Sequence, residues 1–139
     1  MEREIADFIR HFEAEKDFIF KEATTRVANS IIRLAPVDEG DYVADWDANI
    51  GGWPTDTQQA PDPKKRKTRQ RLKQIIENLK YGDAIFFENN DPASIKLEFG
   101  YSSQAPQGVI RLTVRKWRGF VRGAAIAAEK KIKKRLAGE

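Results

Sequence analysis

Few residues in this chain have the chemistry of a catalyst. There is no cysteine and a single histidine, His11. A Cys-His pair is therefore excluded, and a Ser-His pair would have to use His11. That residue falls on a charged side of the first predicted helix with no serine beside it in sequence, which is the setting of a solvated histidine. Carboxylates are densest at Asp38, Glu39, Asp41, Asp45 and Asp47. Asp45 and Asp47 would share one face of a strand, so convergence on metal ions, as a small metal-dependent nuclease needs, is one reading. Asp38, Glu39 and Asp41 fall in a turn, where aspartate is favoured for backbone reasons alone. No glycine-rich phosphate loop, dinucleotide fingerprint or zinc spacing occurs. The sequence gives no reason to expect an enzyme, a metal or a cofactor.

The basic residues are more patterned. Lys64-Lys65-Arg66-Lys67 is followed by Arg69, Arg71 and Lys73. Further on, Arg111, Arg115, Arg118 and Arg122 are spaced 4, 3 and 4 apart, which sets them on one ridge of a helix. Such a ridge can face an acidic subunit surface, face DNA in a lumen, or simply be solvated. A basic nucleic-acid-binding protein is the second functional class these residues allow, although no aromatics interleave with them. The formal charge of +4 divides unevenly, with residues 1–60 at −7 and residues 61–139 at +11. Halves of opposite sign can draw copies together head to tail, or neutralise each other within one subunit.

The elements that must position these groups follow from periodicity. A chain of 139 residues suits one domain, spanning 1–139. Residues 2–34 place Ile5, Phe8, Ile9, Phe12, Ile19, Phe20, Ala23, Val27 and Ile31 on one helical face without an intervening Gly or Pro. Pro36 ends that helix. At 1.5 Å per residue it is a rod of ~50 Å, longer than a domain of this size needs, so part of it should project or pack on a neighbour. Phe18 and Ile32 lie off the main stripe and mark either a second buried face or a subunit contact. Alternation from Tyr42 to Ile50 predicts a strand over 42–50, and three prolines make 53–63 a loop. Asp62 and Pro63 then suit the start of a basic helix over 63–79. A second strand follows at 84–89 and a short helix at 92–99, closed by Gly100. A last helix spans 108–136, with Ile110, Val114, Trp117, Phe120, Val121, Ala124, Ala125, Ala128 and Ile132 on its apolar face. The class is α+β, with two long helices packed on a small antiparallel sheet and a basic helix in the middle. No apolar run reaches the ~20 residues that span a bilayer, and the acidic Met1–Glu4 start is unlike a signal peptide.

Two stretches carry a resemblance. Ala35-Pro36-Val37-Asp38-x-Gly40, after a long amphipathic helix, resembles the tail-completion and minor tail component family of tailed phages, which includes relatives of tail protein Z. Asn89-Asn90-x-Pro92 with Leu97-Glu98-Phe99-Gly100-Tyr101-Ser102-x-Gln104-Ala105-Pro106-x-Gly108 is similar to a segment of the same family and fixes many positions over a short span. With the order of elements, the likeness covers about residues 20–135. It implies a non-enzymatic structural subunit of the virion, at the neck where tail meets head. Such a subunit assembles as a ring, with six copies as the first expectation, and contacts neighbouring neck, connector or tail proteins. DNA passing through the lumen would be an unspecific neighbour, and the host cytoplasm would hold the protein before assembly. On this reading Leu97, Phe99, Tyr101, Gln104 and Pro106 contact a neighbour or partner, with Phe18, Ile32 and the arginine ridge as further candidates.

Overall fold

Helix α1 (Glu2–Leu34) is continuous over 33 residues, as the unbroken periodicity requires, and the chain leaves it at Ala35-Pro36. The computed structural model describes residues 2–55 and 59–138. The side chains of Asp7, Phe8, His11 and Phe12 lie outside the described set, and so do the expectations for His11, Phe8 and Phe12 and for the middle of the 53–63 loop. Burial along α1 begins at Glu15, whereas Ile5 and Ile9 are each 53% exposed, so the first turns project beyond the core.

From Thr24 onward α1 buries two faces. Ile31 and Ala35 enter a cluster with Tyr42, Val43, Trp46, Ala105 and Val109. Ala28 and Ile32 enter a second one with Ala48, Leu72 and Ile76, and Phe87 packs against both. Ile32 is fully buried within its own chain. Of the two alternatives for its off-stripe position, the second buried face is the one realised, and Ile32 is not available to a neighbour.

The expected strand over 42–50 is shorter and is preceded by a helical turn. Gly40 sits at φ +95°, and a Cβ there would lie 2.4 Å from the Pro63 nitrogen, so the 62–63 segment crosses directly over it. Its carbonyl accepts the amides of Ala44 (3.1 Å) and Asp62 (3.0 Å). The turn opened here is α2 (Asp41–Ala44), and it buries Tyr42, Val43 and Ala44 in succession, which a strand with period two cannot do. Strand β1 is Trp46–Ile50 and pairs antiparallel with β2 (Ile85–Asn89), with Trp46 opposite Asn89 and Ile50 opposite Ile85. The inner face carries Trp46, Ala48 and Phe87 toward α1. On the outer face the ring of Trp53 meets Phe86 edge-on at 4.9 Å.

Helix α3 (Arg66–Glu77) begins three residues later than expected because Lys65 adopts φ 63°, a left-handed conformation. Asp62 still caps it, its buried carboxylate accepting the Thr68 amide at 2.8 Å. Two cations of the basic run are structural. Lys65 Nζ donates to the Arg33 and Ala35 carbonyls at 3.1 and 2.9 Å, closing the C-terminus of α1. Arg71 donates to the Ala44 and Trp46 carbonyls at 2.9 and 2.7 Å.

After α4 (Ser94–Glu98) the expected single helix over 108–136 is two, α5 (Ile110–Arg115) and α6 (Trp117–Ala137). They meet at Lys116, where φ −90° and ψ 0° depart from ideal helix and the amide bonds to the Thr113 carbonyl at 3.1 Å, a tighter i→i−3 link. Val109 and Thr113 are buried before Lys116, Ala124 and Ala128 after it, while Ile110, Val114 and Trp117 emerge exposed rather than in the core. Helix α6 then runs antiparallel along α1. Thr113 Oγ1 meets Ser30 Oγ at 2.9 Å just before α6, Gly123 lies against the Arg26 guanidinium, and the buried Glu15 pairs with Arg135 and Lys131 at the far end. The acidic and basic halves thus fold onto each other. The class is α+β, mixed helix and a two-stranded antiparallel sheet, as the sequence implied. Among the described residues no helix is long and apolar enough to cross a membrane.

Candidate interaction surface

The patterned segment from Asn89 to Gly108 folds into a self-supporting loop, and most of its signature residues are used inside it. Asn89 Nδ2 donates to the Tyr42 carbonyl at 2.8 Å, and its Oδ1 accepts the Asp91 amide. Asp91 in turn accepts the Ala93 amide, an Asx turn that leads into α4. At the end of α4, Glu98 reaches across to the start of α5. One carboxylate oxygen accepts the amides of Val109 and Ile110 at 2.9 and 2.8 Å. The other accepts the Arg111 amide at 2.9 Å and Arg111 Nε at 3.2 Å. These are helix-terminal donors with no intrahelical acceptor, so a residue far back in sequence supplies the N-cap.

Two glycines make this approach possible. Gly100, at φ +87°, leaves room for the Pro106 carbonyl, which a Cβ would meet at 2.5 Å. Gly108, at φ +83°, leaves room for the Glu98 carbonyl, 2.4 Å from the same hypothetical atom. Gln104 completes the loop by pairing with Val37 in both directions, its Oε1 accepting the amide at 3.0 Å and its Nε2 donating to the carbonyl at 2.9 Å. The two stretches that carry the resemblance are thereby tied to one another.

Burial alone would raise the Glu98 carboxyl, but the Arg111, Ile110 and Val109 amides and the Arg111 guanidinium outweigh it and hold it below its ordinary value of 4.5. Asp62 behaves in the same way. Burial pulls it up, yet the amides of Thr68, Lys67 and Arg66 leave it below 3.8. For a carboxyl whose folded value is depressed, the stabilisation is complete above the unfolded value and is lost as pH falls through the folded one. The melting temperature should therefore be flat above about pH 5 and fall below about pH 4.5. Glu98→Gln should flatten part of that acid limb. A melting series from pH 7 to pH 3 checks this, and identical limbs in both proteins would count against the capping role.

The expected interface residues divide. Phe99 and Tyr101 are exposed, at 64% and 77%, and Ile95 beside them is also exposed. Pro106 is exposed. Leu97 is half-buried against the core, and Phe18 is half-buried beneath Lys131, whose ammonium stands 4.3 Å from its ring. Gln104 is exposed at its surface but committed to Val37. Arg111 is committed to Glu98, including a 2.5 Å bond to its carbonyl, and lies 5.0 Å from the Phe99 ring. The break at Lys116 interrupts the ridge. Arg115, Arg118 and Arg122 are exposed and have no ion pair among the described residues.

A larger feature was hidden by the periodicity. Between α1, β2 and the α5–α6 junction runs an open apolar groove of about 350 Å³, lined by Phe20, Thr24, Val27, Ile85, Phe87, Thr113, Val114 and Trp117. Val114 and Trp117 fit the apolar stripe of one continuous helix and so read as core.

The acids Asp45 and Asp47 do not assemble a metal cluster. Among the described residues no group of three or more potential ligands can hold an ion. Asp47 accepts the Ala48 amide and stands 3.8 Å from Arg71. No protein-family model matches the chain, and no curated protein or solved structure matches it either.

Proposed function

We propose that this chain is a non-enzymatic structural subunit of a tailed-phage or prophage virion. It would sit at the junction of head and tail and assemble with copies of itself as a ring, six being the first expectation. The observation that supports an assembling subunit is its surface. The chain exposes 9560 Å², whereas a compact monomer of this mass exposes about 7,400 Å². The surplus of about 2,200 Å² exceeds the ~1,600 Å² that a head-to-tail subunit contributes through two faces of ~800 Å² each. The exposed apolar side chains include Val114 and Trp117 at the groove, Phe99 and Tyr101, and Ile5 and Ile9 at the projecting end of α1.

The groove and that end are suited to one another. The end is a helix edge with Ile5 and Ile9 one turn apart, and residues 2–13 carry four acids and two bases. The exposed Arg115 and Arg118 follow directly in sequence the groove-lining Val114 and Trp117. The end of α1 from one copy seated in the groove of the next is a heterologous contact, which closes into a ring when the rotation allows. The resemblance of the Asn89–Gly108 segment supports placing this assembly in a phage neck, where connector or tail proteins are the further partners. Mass measurement of the purified protein in solution tests the reading. Six copies of 15.9 kDa give about 95 kDa. A protein that stays monomeric at every concentration, and is absent from isolated particles, would refute it.

A further inference from the structure

The C-terminal third of α1 has a charge pattern of its own. Its last acid is Glu22, and beyond it the only charged residues are Arg26 and Arg33. Both line an open pocket of about 440 Å³ with Asn29, Ser30, Arg69 of α3 and Phe120 of α6. No carboxylate lines this pocket. The Arg26 guanidinium is held against Gly123, where a Cβ would approach it to 2.7 Å, and Glu22 contacts only its outer nitrogen at 3.4 Å. Its Nε is buried without a partner. Arg33 and Arg69 form no ion pair among the described residues, and together they disfavour a further cation at Lys65, whose ammonium is lowered by burial first and then by these two guanidinium groups. Three guanidinium groups and an amide thus surround one space, and among the described residues the Glu22 contact at the outer nitrogen of Arg26 is the one ion pair they make.

We propose that this pocket seats a phosphate of a nucleic-acid backbone. Guanidinium forks match the oxygens of a phosphate in pairs. Exposed Arg66 and Lys73 share the helical face of Arg69 on α3 and extend the basic surface past the pocket, so the ligand it fits is a polyanion rather than a single carboxylate. Such binding is independent of base sequence and needs no aromatic stacking platform on a duplex. The inference does not depend on ring assembly.

The test uses the full chain and a fluorescein-labelled 20-base-pair DNA duplex over a series of salt concentrations. The Arg33→Gln/Arg69→Gln variant removes two cations whose side chains hold nothing else in the fold, so its melting temperature should stay near that of the parent. Its affinity should fall tenfold or more. The slope of log K against log salt should shrink by about 0.9, the loss expected for the one phosphate that the pocket seats. Lys130→Gln/Lys133→Gln removes the same charge from the exposed end of α6 and should leave the slope nearly intact. The proposal is overturned if the parent does not bind the duplex, or if the two variants behave alike. It is also overturned if the pocket variant keeps its DNA affinity but loses assembled mass, because the pocket then receives a carboxylate of a second copy. Groove variants that assemble as the parent does, while the parent binds DNA and the pocket variant does not, would instead fault the ring reading alone.

Discussion

Replacement of Glu98 by Ala is expected to destabilise the protein by about 2–4 kcal/mol and to lower its melting temperature by about 8–16 °C. The carboxylate serves three amides at the start of α5, and charge-assisted bonds of this kind contribute more than neutral ones. One of those amides belongs to Val109, a fully buried residue of the core, so its donor cannot simply turn to water. The Arg111 guanidinium contributes less. It is about half exposed, and an ion pair in that setting is worth ~0–1 kcal/mol. Arg111→Gln should therefore cost far less than Glu98→Ala, although both break the same pair. Gly108→Ala should act in the same direction as the glutamate variant, because its methyl group would meet the Glu98 carbonyl. Chemical denaturation of the three variants would decide the matter. A Glu98→Ala protein that melts within a degree or two of the parent would mean that α5 does not depend on this cap.

Trp117→Glu should have the largest effect on assembly, with little effect on the fold of the subunit. The indole is 43% exposed at the rim of the groove, so the isolated chain loses modest packing. In the assembly we propose, the same ring is covered by a neighbour. Interface tryptophans of this kind typically contribute 2–4 kcal/mol, so the dissociation constant should rise by about 30- to 1,000-fold. A buried glutamate would add a desolvation cost. Val114→Glu, at a residue 64% exposed, provides a second variant with even less to lose in the monomer. Light scattering across a concentration series would show both shifted toward the monomer. If both variants fold and assemble as the parent does, the groove is not the contact.

The course of α1 is set by local sequence. Thirty-three residues without Gly or Pro repeat an apolar stripe, and Pro36 forbids continuation. The inner face of β1 was equally legible, since Trp46 and Ala48 alternate with Asp47. The short helix before Gly100 was too, because a positive φ is natural to that glycine. Periodicity reports which side of an element is apolar. It does not report which neighbour covers that side, or whether any does. That is why Ile32 was ambiguous until α3 was seen to pack on it, and why Val114 and Trp117 read as core although they line an open groove.

Polar side chains escape local reading for a related reason. Glu98, Gln104, Lys65 and Arg71 bond to backbone groups between 11 and 67 residues away. In the sequence they belong to a motif or to a basic run, and a run of cations looks the same whether it faces water, phosphate or the end of a helix. Composition and spacing determined the helices, the small sheet and the scarcity of catalytic groups. Only the tertiary structure decided which charges are spent inside the fold and which remain free, because a charge is assigned by the unsatisfied carbonyls and amides that the folded chain brings to it.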